Sequence, residues 1–491
     1  MAKKGGKKIL CCSCIGLGSL ALLWLLVGDM YDEHSSVWRK VRTTNARRAL
    51  AEKASRHEFP SPDANFSFVH SAYYLPERRL LRAVGVRRCK RDEDDDAAGV
   101  RLRLRRADGD GAGVELLGHW AVINRRQCPV YYFQPMCAWS LHETTLPSVH
   151  VMTPPLRRAH FLAVCLQPTF AFGDWPLLVQ FFEFWLLKGA TKFYFYLHSA
   201  TTEIRTILEL YKSDGIDIET VDWSAFPVVD DLDANFHVYR SEVPSSINDC
   251  ALRSRADAEY VTFVDFDEMI VEQHGVLEAR ELLARLHSLA GPDVGAFILR
   301  SSTAHPATRD EVGGDDDDDD WRHASSVSFE QLERLWVEAG AFPVPYQSKV
   351  ITRPETLDRI HAHEVLNFTD ARTTAFVVPT DVARIVHLRS VNYRRLLSSK
   401  RKGGVTRMLE PFAQKMTDAW ALRLARLDLE DLQLPHRGHE IMLKVERCRF
   451  LYRGLRLEFC NSIDLCPVPE SVVPREDWWL PNASWTVINK H

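Results

Sequence analysis

Asp265-Phe266-Asp267-Glu268 follows directly on residues 260–264, a β-branched and aromatic run that reads as a strand buried on both faces. On an extended chain alternate residues point to the same side, so the carboxylates of Asp265 and Asp267 are expected to face one site with Phe266 packed behind them. Two hard oxygen donors at a strand terminus suit a divalent ion such as Mn²⁺ or Mg²⁺ that also holds a diphosphate. Such triplets are common in a chain with 66 acidic residues, and Asp108-Gly-Asp110 and Asp231-Leu-Asp233 are present too. Those two lie in polar stretches with no strong strand before them. Open α/β sheets bind ligands beyond the carboxyl ends of their strands, which is where Asp265 and Asp267 fall. Upstream, Arg253 or Arg255 on the helix feeding the strand has the charge to meet a phosphate. The competing reading is a solvated helix face on which Asp249 and Arg253 pair at i, i+4.

The elements that must position these groups alternate regularly. Residues 161–166 read as a strand, 175–187 as an aromatic-rich helix closed by Gly189, 192–197 as a strand, 202–212 as a helix ending before Gly215, 216–223 as a strand, and 245–258 as a helix. This predicts an α/β fold with a mostly parallel sheet. Residues 327–336 and 408–429 read as helices and 350–352 as a short strand. Before the alternation, residues 66–151 carry short apolar runs between charged or Gly-rich breaks, the pattern of a small β-rich module. The Asp run within 313–320 reads as a solvated, self-repelling loop, since it has no spaced ligands for calcium.

The 491 residues are 46% hydrophobic and 26% charged, which excludes a wholly disordered or fibrous chain. A mean hydropathy of -0.21 excludes a multispan membrane protein. With 62 basic against 66 acidic residues there is no polycationic footprint, so nucleic acid is not an expected partner. Residues 9–27 are uncharged and mostly apolar, nearly long enough to span the ~30 Å hydrocarbon core. Lys3, Lys4, Lys7 and Lys8 precede the run and Asp29, Asp32 and Glu33 follow it, which predicts an uncleaved signal anchor in the type II orientation, the membrane being engaged through this single helix. Beyond it, Cys89, Cys128, Cys137, Cys165, Cys250, Cys448, Cys460 and Cys466 are free to pair in an oxidising lumen, with Cys128 and Cys137, and the three near the tail, placed as local staples. Acceptor sequons at Asn65, Asn367 and Asn482 agree with a lumenal location. The expected organisation is a cytosolic tail (1–8), anchor (9–27), stem (28–61), β-rich module (62–155), catalytic domain (156–430) and Cys-containing extension (431–491).

Five segments taken in order, Trp185-Leu-Leu-Lys-Gly-Ala-Thr-Lys-Phe-Tyr-Phe-Tyr196, Asn248-Asp-Cys-Ala-Leu-Arg253, Val261-Thr-Phe-Val-Asp-Phe-Asp-Glu268, Ser348-Lys-Val-Ile-Thr-Arg-Pro354 and His363-Glu-Val365, resemble glycosyltransferase family 92. The resemblance covers residues 161–395 and implies a GT-A fold, a UDP-galactose donor, a divalent metal, inverting β-1,4-galactosyl transfer to a glycan on glycoprotein or glycolipid, and a Golgi membrane location with a lumenal catalytic domain. It assigns Asp265, Arg253, Lys349 and Arg353 to donor binding, and Asp265, Asp267 and His387 to the metal. The family's apolar-apolar-His-Tyr-Arg segment is matched by Ile385-Val386-His387-Leu388-Arg389, with Leu in place of Tyr, whereas Asn392-Tyr393-Arg394 keeps Tyr but lacks His. His387 is favoured as the third ligand because an imidazole is a better Mn²⁺ donor than an amide oxygen. The alternative is a structural histidine behind a strand.

Inverting transfer needs a carboxylate base near the acceptor hydroxyl, and Glu364 and Glu268 are the two candidates, Glu268 alternatively orienting the donor sugar. The competing function is a noncatalytic lumenal glycan-binding or scaffold protein that retains the fold. A glycoside hydrolase would need two acids flanking a sugar rather than adjacent on one strand end.

Overall fold

The computed structural model describes residues 66–75, 78, 80–88, 100–104, 114–118, 136–137, 151–152, 158–229, 233–237, 243–272, 278–307, 323–389, 402–454 and 466–489. The expected tail, anchor and stem, the Asp run, Asn65, Asn392, Cys89, Cys128 and Cys460 lie outside them. No helix among the described residues is long and apolar enough to cross a membrane. Of the two units into which the chain divides, Met1–Arg56 with Arg389–Arg401 lies outside the described residues except for Arg389, and His57–Leu388 with Lys402–His491 holds every element below.

The unit opens with β1 (Phe66–Leu75), β2 (Leu80–Arg88), β3 (Val100–Leu104), β4 (Val114–Gly118), β5 (Met136–Cys137) and β6 (Val151–Met152). The alternating region follows with β7 (His160–Leu166), α1 (Trp175–Leu187), β8 (Lys192–Leu197), β9 (Ala200–Thr201), α2 (Thr202–Ser213), β10 (Asp217–Asp222), α3 (Val243–Asp257) and β11 (Ala258–Val264). Next come β12 (Glu268–Glu272), α4 (Ala279–Ala290), β13 (Val294–Leu299), β14 (Ser301–Pro306), β15 (Leu335–Glu338), β16 (Lys349–Thr352), β17 (Leu357–Ile360), β18 (Val365–Phe368), β19 (Thr374–Val377), β20 (Ala383–Leu388) and β21 (Gly403–Thr406). Among the described residues the last elements are α5 (Glu410–Leu427), α6 (Gly438–Gly454), β22 (Trp478–Trp479) and β23 (Thr486–Asn489).

A seven-stranded sheet runs in the order β10-β8-β7-β11-β16-β13-β19. Strands β10, β8, β7 and β11 are mutually parallel, β16 is inserted antiparallel between β11 and β13, and β13 and β19 are parallel. The α/β expectation holds, with one antiparallel strand in the middle of the sheet. Period-2 alternation divides each central strand between two cores. Leu162, Val164 and Leu166 of β7 and Phe193, Phe195 and Leu197 of β8 face the core shared with α1 and α2. Ala163, Cys165, Tyr194 and Tyr196 face the other core, with Val243, Ile247 and Cys250 of α3. A disulfide between Cys165 and Cys250 ties β7 to α3, and a second joins Cys448 to Cys466, the local staple expected near the tail.

A second sheet, β12-β20-β14-β15-β21, begins at Glu268, the last residue of the acidic segment. Here the helix expected over 327–336 is corrected: two 3-10 turns, Ala324–Ser326 and Glu330–Leu332, lead into β15. Leu335 and Val337 are buried while Trp336 and Glu338 are not, a period of two that strand pairing with β14 and β21 satisfies and a helix would not. The β1–β2 hairpin pairs through β1 with β23, so the last described strand joins the first described sheet.

Candidate active site

Strand β11 ends at Val264 and β12 begins at Glu268, so Asp265, Phe266 and Asp267 form the connection between the two sheets. It is a turn: the Glu268 amide donates to the Asp265 carbonyl at 3.3 Å, and the Asp265 amide donates to Glu268 Oε2 at 2.8 Å. The extended geometry expected for the two aspartates is therefore replaced by a closed loop. Phe266 packs behind as expected, stacked on Phe172 with ring centroids 4.3 Å apart and meeting Phe181 edge-on at 5.5 Å.

Two cross-strand neighbours complete the cluster. Lys349, the first residue of β16, places Nζ 3.2 Å from Asp265 Oδ2 and 2.8 Å from Glu268 Oε2. His387 is set opposite Glu268 by the β12–β20 register, with Nε2 3.1 Å from Asp267 Oδ2 and Nδ1 3.5 Å from Glu268 Oε1. The side chains of Asp265 and Asp267 remain 35% and 29% exposed, whereas those of Glu268 and Lys349 are 1% exposed. Glu268 thus holds Lys349 and the turn amide from beneath, with His387 Nδ1 nearby. With 1% of its side chain exposed, Glu268 is turned toward this cluster rather than toward solvent.

Burial opposes the charge on Lys349, but the carboxylates of Asp265 and Glu268 outweigh it and keep the ammonium protonated well above the ordinary lysine range. Burial pushes the Glu268 carboxyl up, Lys349 pulls it down, and the neighbouring Asp265 and Asp267 push it up again, with a net rise. Asp265, Asp267 and Glu268 thus set three carboxylates around Lys349 and His387.

Cis ligands on an octahedral ion with bonds of ~2.1 Å lie about 3 Å apart. Asp267 Oδ2 and His387 Nε2 are hydrogen-bonded at 3.1 Å, a distance equal to that spacing; with the ring proton on Nδ1 instead, the imidazole and the carboxylate form a donor set that Mn²⁺ accepts. These two residues fit a divalent ion. Asp265 is instead paired with Lys349, and among the described residues no group of three or more His, Cys, Asp and Glu side chains is already gathered as a metal cage.

The remaining candidates fall in different places. Arg353 is at the wrong end of β16: that strand is antiparallel to β11, and four residues at ~3.3 Å each carry the chain roughly 13 Å from Lys349. Its guanidinium meets the Tyr260 hydroxyl at 3.3 Å, near the start of β11. Arg253 is committed to Glu219 at 2.7 Å and Asp249 at 3.2 Å, so the i, i+4 pair forms, but on a fully buried Asp249 rather than a solvated face. Arg255 is buried and donates to the carbonyls of Pro354 and Leu357. None of the three arginines joins the acidic turn. Glu364 is half-buried in the β17–β18 connection, its carbonyl accepting from the His361 amide at 2.9 Å.

His363, quoted within a motif but given no role, proves to be close to the cluster. Its Nδ1 lies 2.8 Å from the carbonyl of Ser348, the residue before Lys349. A carbonyl only accepts, so Nδ1 carries the proton and Nε2 keeps its lone pair. Burial, with the Lys349 charge, holds the ring down to about 4, neutral at physiological pH.

The profile of glycosyltransferase family 92 matches residues 160–423, from the first residue of β7 into α5. A glycosyltransferase family 92 protein of Caenorhabditis elegans is 27% identical over 115 residues, a match spanning 22% of this chain and 22% of that relative's own length. A mannosyltransferase from Pyrobaculum calidifontis, solved with GDP-Man and Mn²⁺, aligns at 14% identity over 62% of this chain and 84% of its own, with a TM-score of 0.26. TarS 1–349 of S. aureus, solved with UDP, aligns at 12% identity over 62% and 90%, with a TM-score of 0.25. Superpositions this loose do not establish a shared fold. The profile covers more than half of the 491 residues and contains the acidic turn, Lys349, His363 and His387, and on that ground the chain belongs to glycosyltransferase family 92.

Proposed function

We propose that the protein is a metal-dependent, inverting glycosyltransferase with a GT-A-type fold that moves galactose from UDP-galactose to a hydroxyl of a glycan on glycoprotein or glycolipid. The observation that carries this reading is the Asp267–His387 contact at 3.1 Å beside the Asp265–Lys349 pair, on a turn beyond the carboxyl end of β11. Asp267 and His387 would hold a Mn²⁺ or Mg²⁺ ion, which would supply positive charge beside a nucleotide diphosphate. Lys349, fixed in its charged state by Glu268 and Asp265, adds positive potential beside the same position. The Phe266–Phe172 stack and the Glu268 hydrogen bond to the turn hold the two aspartates in place before substrate arrives. Glu364, next to His363 on the connection that reaches Ser348, is the carboxylate offered to take the acceptor proton.

The location proposed is the Golgi membrane, through a type II anchor at 9–27 with the catalytic domain in the lumen. Two disulfides and exposed asparagines at the sequons of Asn367 and Asn482 support an oxidising, glycosylating compartment. Incubation with UDP-galactose, UDP-glucose and UDP-N-acetylglucosamine and a panel of glycans, with Mn²⁺ and with EDTA, tests the reading. Galactosylated product formed only with metal is expected; no turnover of any nucleotide sugar would leave a glycan-binding protein.

A further inference from the structure

The segment before Lys349 carries two aromatic side chains that the reading above does not use. In the sheet register Leu299 faces Lys349, and two residues later Ile351 faces Thr262, so the chain preceding Lys349 leaves the sheet beyond the carboxyl ends of β11 and β13, the ligand side. It is pinned there at both ends. The Phe342 amide donates to the Ser301 carbonyl at 2.8 Å, just past the end of β13, and the Ser348 amide donates to the Pro345 carbonyl at 3.3 Å, while His363 holds the Ser348 carbonyl. Gln347 takes a left-handed backbone at φ 54°, a conformation seldom adopted by a residue with a side chain. Within this loop Phe342 and Tyr346 meet edge-on with ring centroids 5.2 Å apart, yet Tyr346 is 58% exposed. A large ring on a braced loop, three residues before Lys349 and left open to solvent, is available to stack on a ligand.

Resting on the transferase reading, we propose that Tyr346, backed by Phe342, is the acceptor subsite, stacking against the C–H face of a pyranose ring of the acceptor glycan. The parallel half of the sheet and its acidic turn take the nucleotide and diphosphate on that reading. The loop belongs to the other half, beside β16 and β13, and so serves the second substrate. A tyrosine suits a sugar because its ring covers the apolar C–H patch while its hydroxyl tolerates the surrounding water. The half-buried imidazole of His363, bound through Nδ1 to Ser348 just before Lys349, keeps an Nε2 lone pair that is able to accept from a sugar hydroxyl.

The test uses the full-length protein in detergent and four probes: the methyl glycosides of β-galactose, β-glucose, α-fucose and β-N-acetylglucosamine, followed by saturation-transfer NMR. Saturation of ring C–H protons is expected for at least one glycoside with wild type, with affinity about tenfold weaker in Tyr346→Ala and recovered in Tyr346→Trp. UDP binding, measured in parallel, reports the fold. If Tyr346→Ala loses UDP as well, Tyr346→Leu, which keeps an apolar side chain without a ring, decides by the same comparison. Undiminished glycoside binding in these variants, or no glycoside bound by wild type, overturns the subsite. Failure of the transferase reading is a separate outcome, seen as glycoside binding that depends on Tyr346 in a protein that transfers no sugar.

Discussion

Lys349 is the residue on which the cluster's charges balance. It is 1% exposed and its ammonium faces two carboxylates, so Lys349→Met leaves Asp265 and the equally buried Glu268 without their cation. The expected cost is about 3–5 kcal/mol in denaturant unfolding, the range for breaking a buried pair from one side. Adding Glu268→Gln to that variant should recover part of it, and an unchanged midpoint in the single variant would show that the pair contributes nothing. The roles of these residues were unequally legible in the sequence. Asp265 and Asp267 stand out because a buried strand ends just before them, a local signal. Lys349 and Arg353 look alike in composition. What separates them is the antiparallel direction of β16, and a four-residue strand carries no local mark of direction.

At the scale of elements, the strands and helices from β7 to β11 could be read because each central strand is buried on both faces and writes an apolar run into its own residues. The second sheet could not be read this way. The pairing of Glu268 with His387 joins strands over a hundred residues apart, and β15 hides its alternation within four positions. The packing of β1 on α3 was likewise hidden, since it depends on Asp249, fully buried and accepting from the Ser71, Tyr73 and Tyr196 hydroxyls and from Arg253. Burial alone would raise that carboxyl, but Arg253, His70 and the hydroxyl donors overcome it and hold the pKa far below the ordinary carboxylate range. A depressed folded value means that the stabilisation is complete above the unfolded value of about 3.9 and drains away as pH falls below it. Asp249→Asn should therefore be less stable than wild type at pH 7, with the gap narrowing steadily as pH falls from about 4 to 2. Denaturation midpoints across that range check it, and a gap independent of pH would contradict the ionised assignment.

For the molecule as a whole, the C-terminal segment works as a clasp. β22 pairs with β9, β23 pairs with β1, and Trp485 inserts between them against Trp223, His70 and Phe226 while its indole N–H donates to the Ser224 carbonyl at 2.8 Å. This segment lies outside the residues that the family profile matches, yet it closes the sheet that begins the described chain. Trp485→Ala should cost about 3–5 kcal/mol, as for other large-to-small changes in a core, read as a lower Tm. A Tm equal to wild type would mean the clasp is dispensable. The central claim is that Asp267 and His387 together hold a divalent ion that sugar transfer requires, and the most direct measurement is Mn²⁺ titration of UDP-galactose transfer by wild type, Asp267→Asn and His387→Ala. The account predicts transfer by wild type that EDTA abolishes, a rise of at least about tenfold in the Mn²⁺ needed by His387→Ala, and a fall of orders of magnitude in Asp267→Asn with Tm preserved. Metal-independent transfer, or wild-type titration curves in both folded variants, would contradict it.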